Sequence, residues 1–134
     1  METATITWKS EQRFAALGKS GHEVLFDSES KTAVGPMEMV LMALGACTAT
    51  DIVLILQKKR QRLTALEVIC SGERAPEPPR VWVKLDVLFR VHGQVQDAAM
   101  QRAMELTKEK YCSVAAMLNK TAQMTWHYEI LPTK

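Results

Sequence analysis

Hydrophobic and polar positions alternate from the first residues of the chain, with Ala4, Ile6 and Trp8 interleaved among Thr3, Thr5 and Thr7. A period of two predicts a strand with one buried face. Two more apolar stretches, Arg13 to Leu17 and His22 to Phe26, flank Gly18-Lys-Ser-Gly21, whose glycines suit a hairpin turn. The expectation is three meandering strands. The polar segment from Asp27 to Gly35 then reads as a loop, closed by Pro36, a residue favoured in the first turn of a helix.

From Met37 to Leu56 the chain is apolar on nearly every side, broken chiefly by Glu38 and Asp51, and its Met, Leu and Ala residues favour helix over strand. Only about twelve residues run uninterrupted between those two carboxylates, too few for a membrane span, so a central buried helix of a soluble protein is expected. Such a helix needs cover on all sides. A small sheet cannot supply it, which predicts a homodimer in which the helix, Leu44 included, is sandwiched between elements of both subunits.

In the second half, Leu66, Val68 and Cys70 alternate with polar neighbours, and after the turn-rich Gly72 to Pro79 come Val81, Val83, Leu85, Val87, Phe89 and Val91 at every second position. These are two antiparallel strands. Helical spacing follows in Gln94 to Glu109, through Val95, Ala98, Ala99, Ala103 and Leu106, and a further helix is expected over Cys112 to Lys120 with Val114, Met117 and Leu118 inward. Met124, Trp126, Tyr128 and Ile130 make a last strand. The order βββ-α-ββ-αα-β over residues 1–134 predicts one α+β domain.

Charge narrows the partners: 17 Lys+Arg against 15 Asp+Glu leave a net charge of +2, too small to imply nucleic acid or an anionic membrane. The basic run Lys58-Lys-Arg-Gln-Arg62 falls where the long helix ends and complements its dipole. The start Met1-Glu-Thr-Ala-Thr-Ile lacks the basic and apolar regions of a secretory signal, so the expected compartment is a reducing cytoplasm with resting thiols.

The candidate chemistry lies in those thiols. Cys47, Cys70 and Cys112 are isolated, with no Cys-x-x-Cys or Cys-x-x-His spacing, which argues against a metal motif or a thioredoxin-like pair. No Gly-x-Gly-x-x-Gly, phosphate loop or Gly-x-Ser-x-Gly occurs, so no cofactor is expected, and His22, His92 and His127 stand singly as strand residues. Cys70 shares the apolar face of its strand and reads as packing. Of the other two, Cys112 has the better local case for a thiolate, with Lys108 and Lys110 just before it and helix amides just after. Cys47 sits deep in its helix with Asp51 four residues on, where a carboxylate opposes ionisation.

Gly35-Pro-Met-Glu38-Met-Val-Leu-Met-Ala-Leu-Gly-Ala-Cys47, followed by Asp51 and by Tyr111-Cys112-Ser-Val-Ala, resembles the OsmC/Ohr superfamily, more narrowly its YhfA-like branch. The resemblance extends along essentially the whole chain. It implies an OsmC-like intertwined dimer in which Cys47 attacks a small organic hydroperoxide and Cys112 resolves the sulfenic acid to a disulfide, which an external dithiol reduces. It also implies an arginine partner for the thiolate, for which Arg13 is the only candidate before the helix, and a glutamate directly after the proline. That position is Met37 here. The nearest carboxylate, Glu38, is rotated about 100° and lies about 13 Å along the axis from Cys47, so any role beside it would have to be across the dimer. Two other readings stand beside this one: a dimeric protein binding a small hydrophobic ligand, and a dithiol redox switch.

Overall fold

The computed structural model describes Met1–Lys134, and its elements follow the expected order. They are β1 (Thr5–Ser10), β2 (Arg13–Leu17), β3 (Glu23–Asp27), α1 (Pro36–Lys58), β4 (Arg62–Arg74), β5 (Trp82–Gln94), α2 (Asp97–Leu106), α3 (Ser113–Leu118) and β6 (Gln123–Leu131). The architecture is α+β. It divides into two compact units, Met1–Val40 and Leu41–Lys134, with α1 beginning in the first and continuing in the second.

The first unit is an antiparallel meander in the order β1-β2-β3, with Trp8 opposite Phe14 and Phe14 opposite Phe26. At the β2–β3 turn Gly21 takes φ +79°, a left-handed conformation that glycine adopts without steric cost, and its N–H donates to Gly18 O. The β3–α1 loop is organised by Asp27, whose buried carboxylate accepts from the N–H groups of Glu29, Lys31 and Thr32 and from the Thr32 hydroxyl. Those donors, the Glu29 amide first, hold its pKa below the usual carboxylate value. The alternation in β1 does produce a strand, but the expected buried face is absent: Ile6 is 57% and Trp8 66% exposed. The one buried apolar strand residue of this unit is Ala15. The apolar face instead lines an open groove of about 760 Å³ with Ile6, Phe14, Val24, Phe26 and Met39 on its walls.

The second unit has the sheet order β4-β5-β6, β4 antiparallel and β6 parallel to β5. The parallel pairing is possible because α2 and α3 carry the chain back across the sheet. The long alternation of β5 buries Leu85, Val87, Phe89 and Val91 completely or nearly so, and Phe89 stacks on Trp126 of β6 at 6.2 Å. Leu44, Thr48, Ile52 and Leu56, four residues apart on α1, are fully buried in the same unit. Leu44 therefore belongs to this chain's own core and not to an intersubunit face. On other sides of α1, Met42 and Leu54 are about half exposed, at 48% and 56%.

Where β5 ends, Gly93 has φ +126°, and a Cβ there would lie 2.1 Å from Arg62 O, so only glycine fits beside the β4 bulge at Leu63/Ala65. The helices differ from expectation in which side faces in. Ala103 is buried as expected, but Met100 and Thr107 are buried while Ala98 is exposed, and Ala115 is buried while Met117 is 66% exposed. A π-helical turn, Thr107–Tyr111, closed by Cys112 N–H donating to Thr107 O, separates the two helices.

Candidate active site

The π-helical turn delivers Cys112 to the N-cap of α3 with extended backbone, φ −79° and ψ 105°. Its sulfur accepts the N–H of Ala115 at 3.3 Å, in the geometry of a side-chain helix cap. The helix-amide contact expected from sequence is thus present. It does not create a thiolate, however. Cys112 is 3% exposed, and its thiol is pushed up to about 12, first by burial and then by a hydrogen bond toward Cys47 and the proximity of Cys47 and Asp51. Lys108 and Lys110 are exposed on the π-helical turn, Lys110 lying over the Tyr111 ring. Desolvation overrides the two signals that favoured ionisation of Cys112.

Cys47 and Asp51 occupy successive turns of α1 and point to one side, as an i,i+4 pair must. The sulfurs of Cys47 and Cys112 and a carboxylate oxygen of Asp51 all lie within 4.8 Å of one another. Asp51 Oδ2 is closed off from solvent and accepts no hydrogen bond, and burial raises the pKa of this carboxyl group. A largely apolar cavity of about 540 Å³ reaches Asp51 between Leu54, Ile55, Leu106 and Tyr111, with the exposed Lys58 and Lys59 beside it. Asp51 is the member of this cluster that sequence reasoning treated only as an obstacle to ionisation. Its four-residue spacing from Cys47 was the available signal.

The other proposed site residues have local partners in the first unit. Glu38 is at the third position of α1 and its Oε1 accepts the N–H of Gly35 at 3.3 Å, the reciprocal half of a capping box. Arg13 pairs with Glu11 at 3.6 Å on the surface. Cys70 is half-buried on β4, its sulfur 3.5 Å from where a Cβ on Gly45 would lie, and burial, then Asp86, raises its thiol pKa.

A family model for OsmC-like proteins matches residues 28–127 of the chain. The sequence is 45% identical over 130 residues to protein YhfA of Escherichia coli K12, covering 96% of this chain and 97% of that protein. Among solved structures, a hypothetical protein from Aquifex aeolicus is similar with a TM-score of 0.91 and 26% identity over 100% of this chain and 98% of the other. An organic hydroperoxide resistance protein from Elizabethkingia anophelis shares the fold at a TM-score of 0.67 and 10% identity, over 96% and 95% of the two chains.

Proposed function

The chain belongs to the OsmC-like family, and on that premise we propose that it is a thiol-dependent reductase of organic hydroperoxides. The observation that carries the reading is the meeting of Cys47 and Cys112, remote in sequence, with sulfurs within 4.8 Å. Cys112 is held as a thiol by its burial, which leaves Cys47 as the attacking sulfur. The Cys47 thiolate attacks the terminal oxygen of the hydroperoxide, the O–O bond breaks, and the alkoxide leaves as an alcohol after taking a proton. Cys112 then attacks the Cys47 sulfenic acid, releasing water and forming the disulfide, and an external dithiol in a reducing cytoplasm restores both thiols. Closing from the observed separation to a bond of about 2.05 Å requires a side-chain rotation at one or both cysteines. The apolar walls of the cavity beside Asp51 favour an organic peroxide over hydrogen peroxide, since apolar surface is buried on binding.

The proposal includes a homodimer that covers the exposed Met42 and Leu54 of the second unit and the exposed Ile6 and Trp8 of the first, apolar side chains that a monomer would leave in water. Arg13 and Glu38 enter it as residues supplied across that dimer. Reduced protein treated with one equivalent of an organic hydroperoxide should yield a Cys47 to Cys112 disulfide by mass spectrometry. Cys112→Ser should stall at oxidised Cys47, and Cys47→Ser should leave Cys112 reduced. Oxidation of both no faster than a free thiol would end the enzymatic reading, and disulfide yields unchanged by Arg13→Ala and Glu38→Ala would confine those residues to their local roles. A second reading, a binding protein for a small hydrophobic ligand, is favoured by the groove lined by Ile6, Phe14, Val24 and Phe26. Apolar ligand retained through gentle purification, together with no peroxide turnover, would select it.

A further inference from the structure

The absence of a metal motif in the sequence does not extend to sites assembled by folding. Cys47 and Asp51 come from one face of α1, and Cys112 comes from the cap of α3. Their three ligand atoms lie within 4.8 Å of one another. We propose that Cys47, Cys112 and Asp51 form a binding site for a thiophilic divalent cation of the zinc type.

The donor set decides the class of ion. Two sulfurs and one oxygen are too soft for magnesium or calcium, which take oxygen ligands, and the carboxylate is too hard for a site built for copper(I). Two thiolates, a carboxylate and a fourth position left to solvent match tetrahedral zinc or cadmium. Metal–sulfur bonds of about 2.3 Å at tetrahedral angles place two sulfurs about 3.8 Å apart, so the sulfurs need close by no more than about 1 Å. The orphaned Asp51 Oδ2 is the independent sign. It is shut away from water, accepts no hydrogen bond, and belongs to a carboxylate with no Lys or Arg nitrogen within 4.0 Å. A cation bound between the Asp51 carboxylate and the sulfurs would give that carboxylate the partner it lacks. Binding forms two metal–sulfur bonds and one metal–oxygen bond and releases the thiol protons to solvent. The same ion occupies both sulfurs, so it excludes the disulfide while it is bound, and the disulfide excludes it.

Metal binding is measured without peroxide, so its failure is separate from failure of the peroxidase reading. Reduced full-length protein is titrated anaerobically with cobalt(II), followed by competition with zinc. The expected result is one ion per chain, with thiolate-to-cobalt charge transfer and the intense visible bands of a tetrahedral site. Cys47→Ser and Cys112→Ser should each lose the charge-transfer signal of a two-sulfur site, Cys70→Ser should keep it, and Asp51→Asn should weaken binding at least about tenfold. X-ray absorption of the zinc-loaded wild type needs no variant and should show two sulfurs near about 2.3 Å with oxygen at about 2.0–2.2 Å. No thiolate–metal signal in the reduced wild type would overturn the proposal. So would unchanged affinity in Asp51→Asn, or loss of the signal in Cys70→Ser with the fold retained.

Discussion

Each unit of the molecule carries a three-stranded sheet, and the two sheets have opposite relations to water. In the Leu41–Lys134 unit, β5 turns a continuous row of Leu85, Val87, Phe89 and Val91 into a sealed core beneath α1 and α2. In the Met1–Val40 unit the same kind of alternation leaves Ile6, Trp8, Leu17, Val24 and Leu25 between 39% and 66% exposed. Alternation therefore specifies which residues share a face, while burial depends on a second layer. The larger unit has its own helices as that layer. The smaller sheet has the composition of a covered sheet and an open groove where its cover would sit.

The contrast breaks most sharply if a core residue of the larger unit is removed. Phe89→Ala deletes a fully buried ring stacked on Trp126 and should cost about 3–5 kcal/mol, read as a lower midpoint in urea. A loss below about 1 kcal/mol would mean that this core is looser than its burial indicates.

The proposed dimer is tested on the exposed side of the same comparison. Trp8→Glu and Leu54→Arg replace half-exposed or more exposed apolar groups, so they should leave the far-ultraviolet dichroism unchanged while halving the mass seen by sedimentation. A dimer that survives both changes would remove assembly as the explanation of the uncovered sheet. Leu44→Arg is the wrong instrument for that question, because Leu44 is fully buried within its own chain and the substitution would unfold it.

A smaller effect separates the units by pH. The folded state holds Asp27 below its ordinary value of 3.8, so its carboxylate stabilises the first unit at all pH above the unfolded value. That contribution falls as pH drops through the lower, folded pKa. Asp27→Asn should reduce stability at neutral pH and flatten the acid limb below about pH 4, measured as thermal midpoint against pH. An acid limb identical to wild type would show that the loop donors do not couple to global stability. Least of all, Met117→Ala on the exposed side of α3 should shift stability by no more than about 0.5 kcal/mol, whereas the hydrophobic pattern would place it in the core.

That last residue marks where legibility in the sequence ends. Element type and order could be read because they depend on local periodicity and propensity: the β5 alternation, the Ala/Leu/Met content of α1 and the Pro36 start are properties of neighbouring residues. Glu38 three residues after Gly35 likewise carried its capping role in its position, though the resemblance drew attention to it as a catalytic candidate. The π-helical turn at Thr107–Tyr111 carried no such signal, and neither did the exposure of Met117 or the burial of Ala115.

The sequence by itself determined the strands and helices, their order, and the two unpaired cysteines that resemble those of a known family. Tertiary structure decided the chemistry available to them. Only folding brings Cys112 within reach of Cys47 and Asp51. Desolvation first, then the neighbouring Cys47 and Asp51, all supplied by the fold and not by Lys108 or Lys110 along the chain, push Cys112 up to about 12. Periodicity records which side a residue faces, but the dielectric around a sulfur is set by everything packed against it.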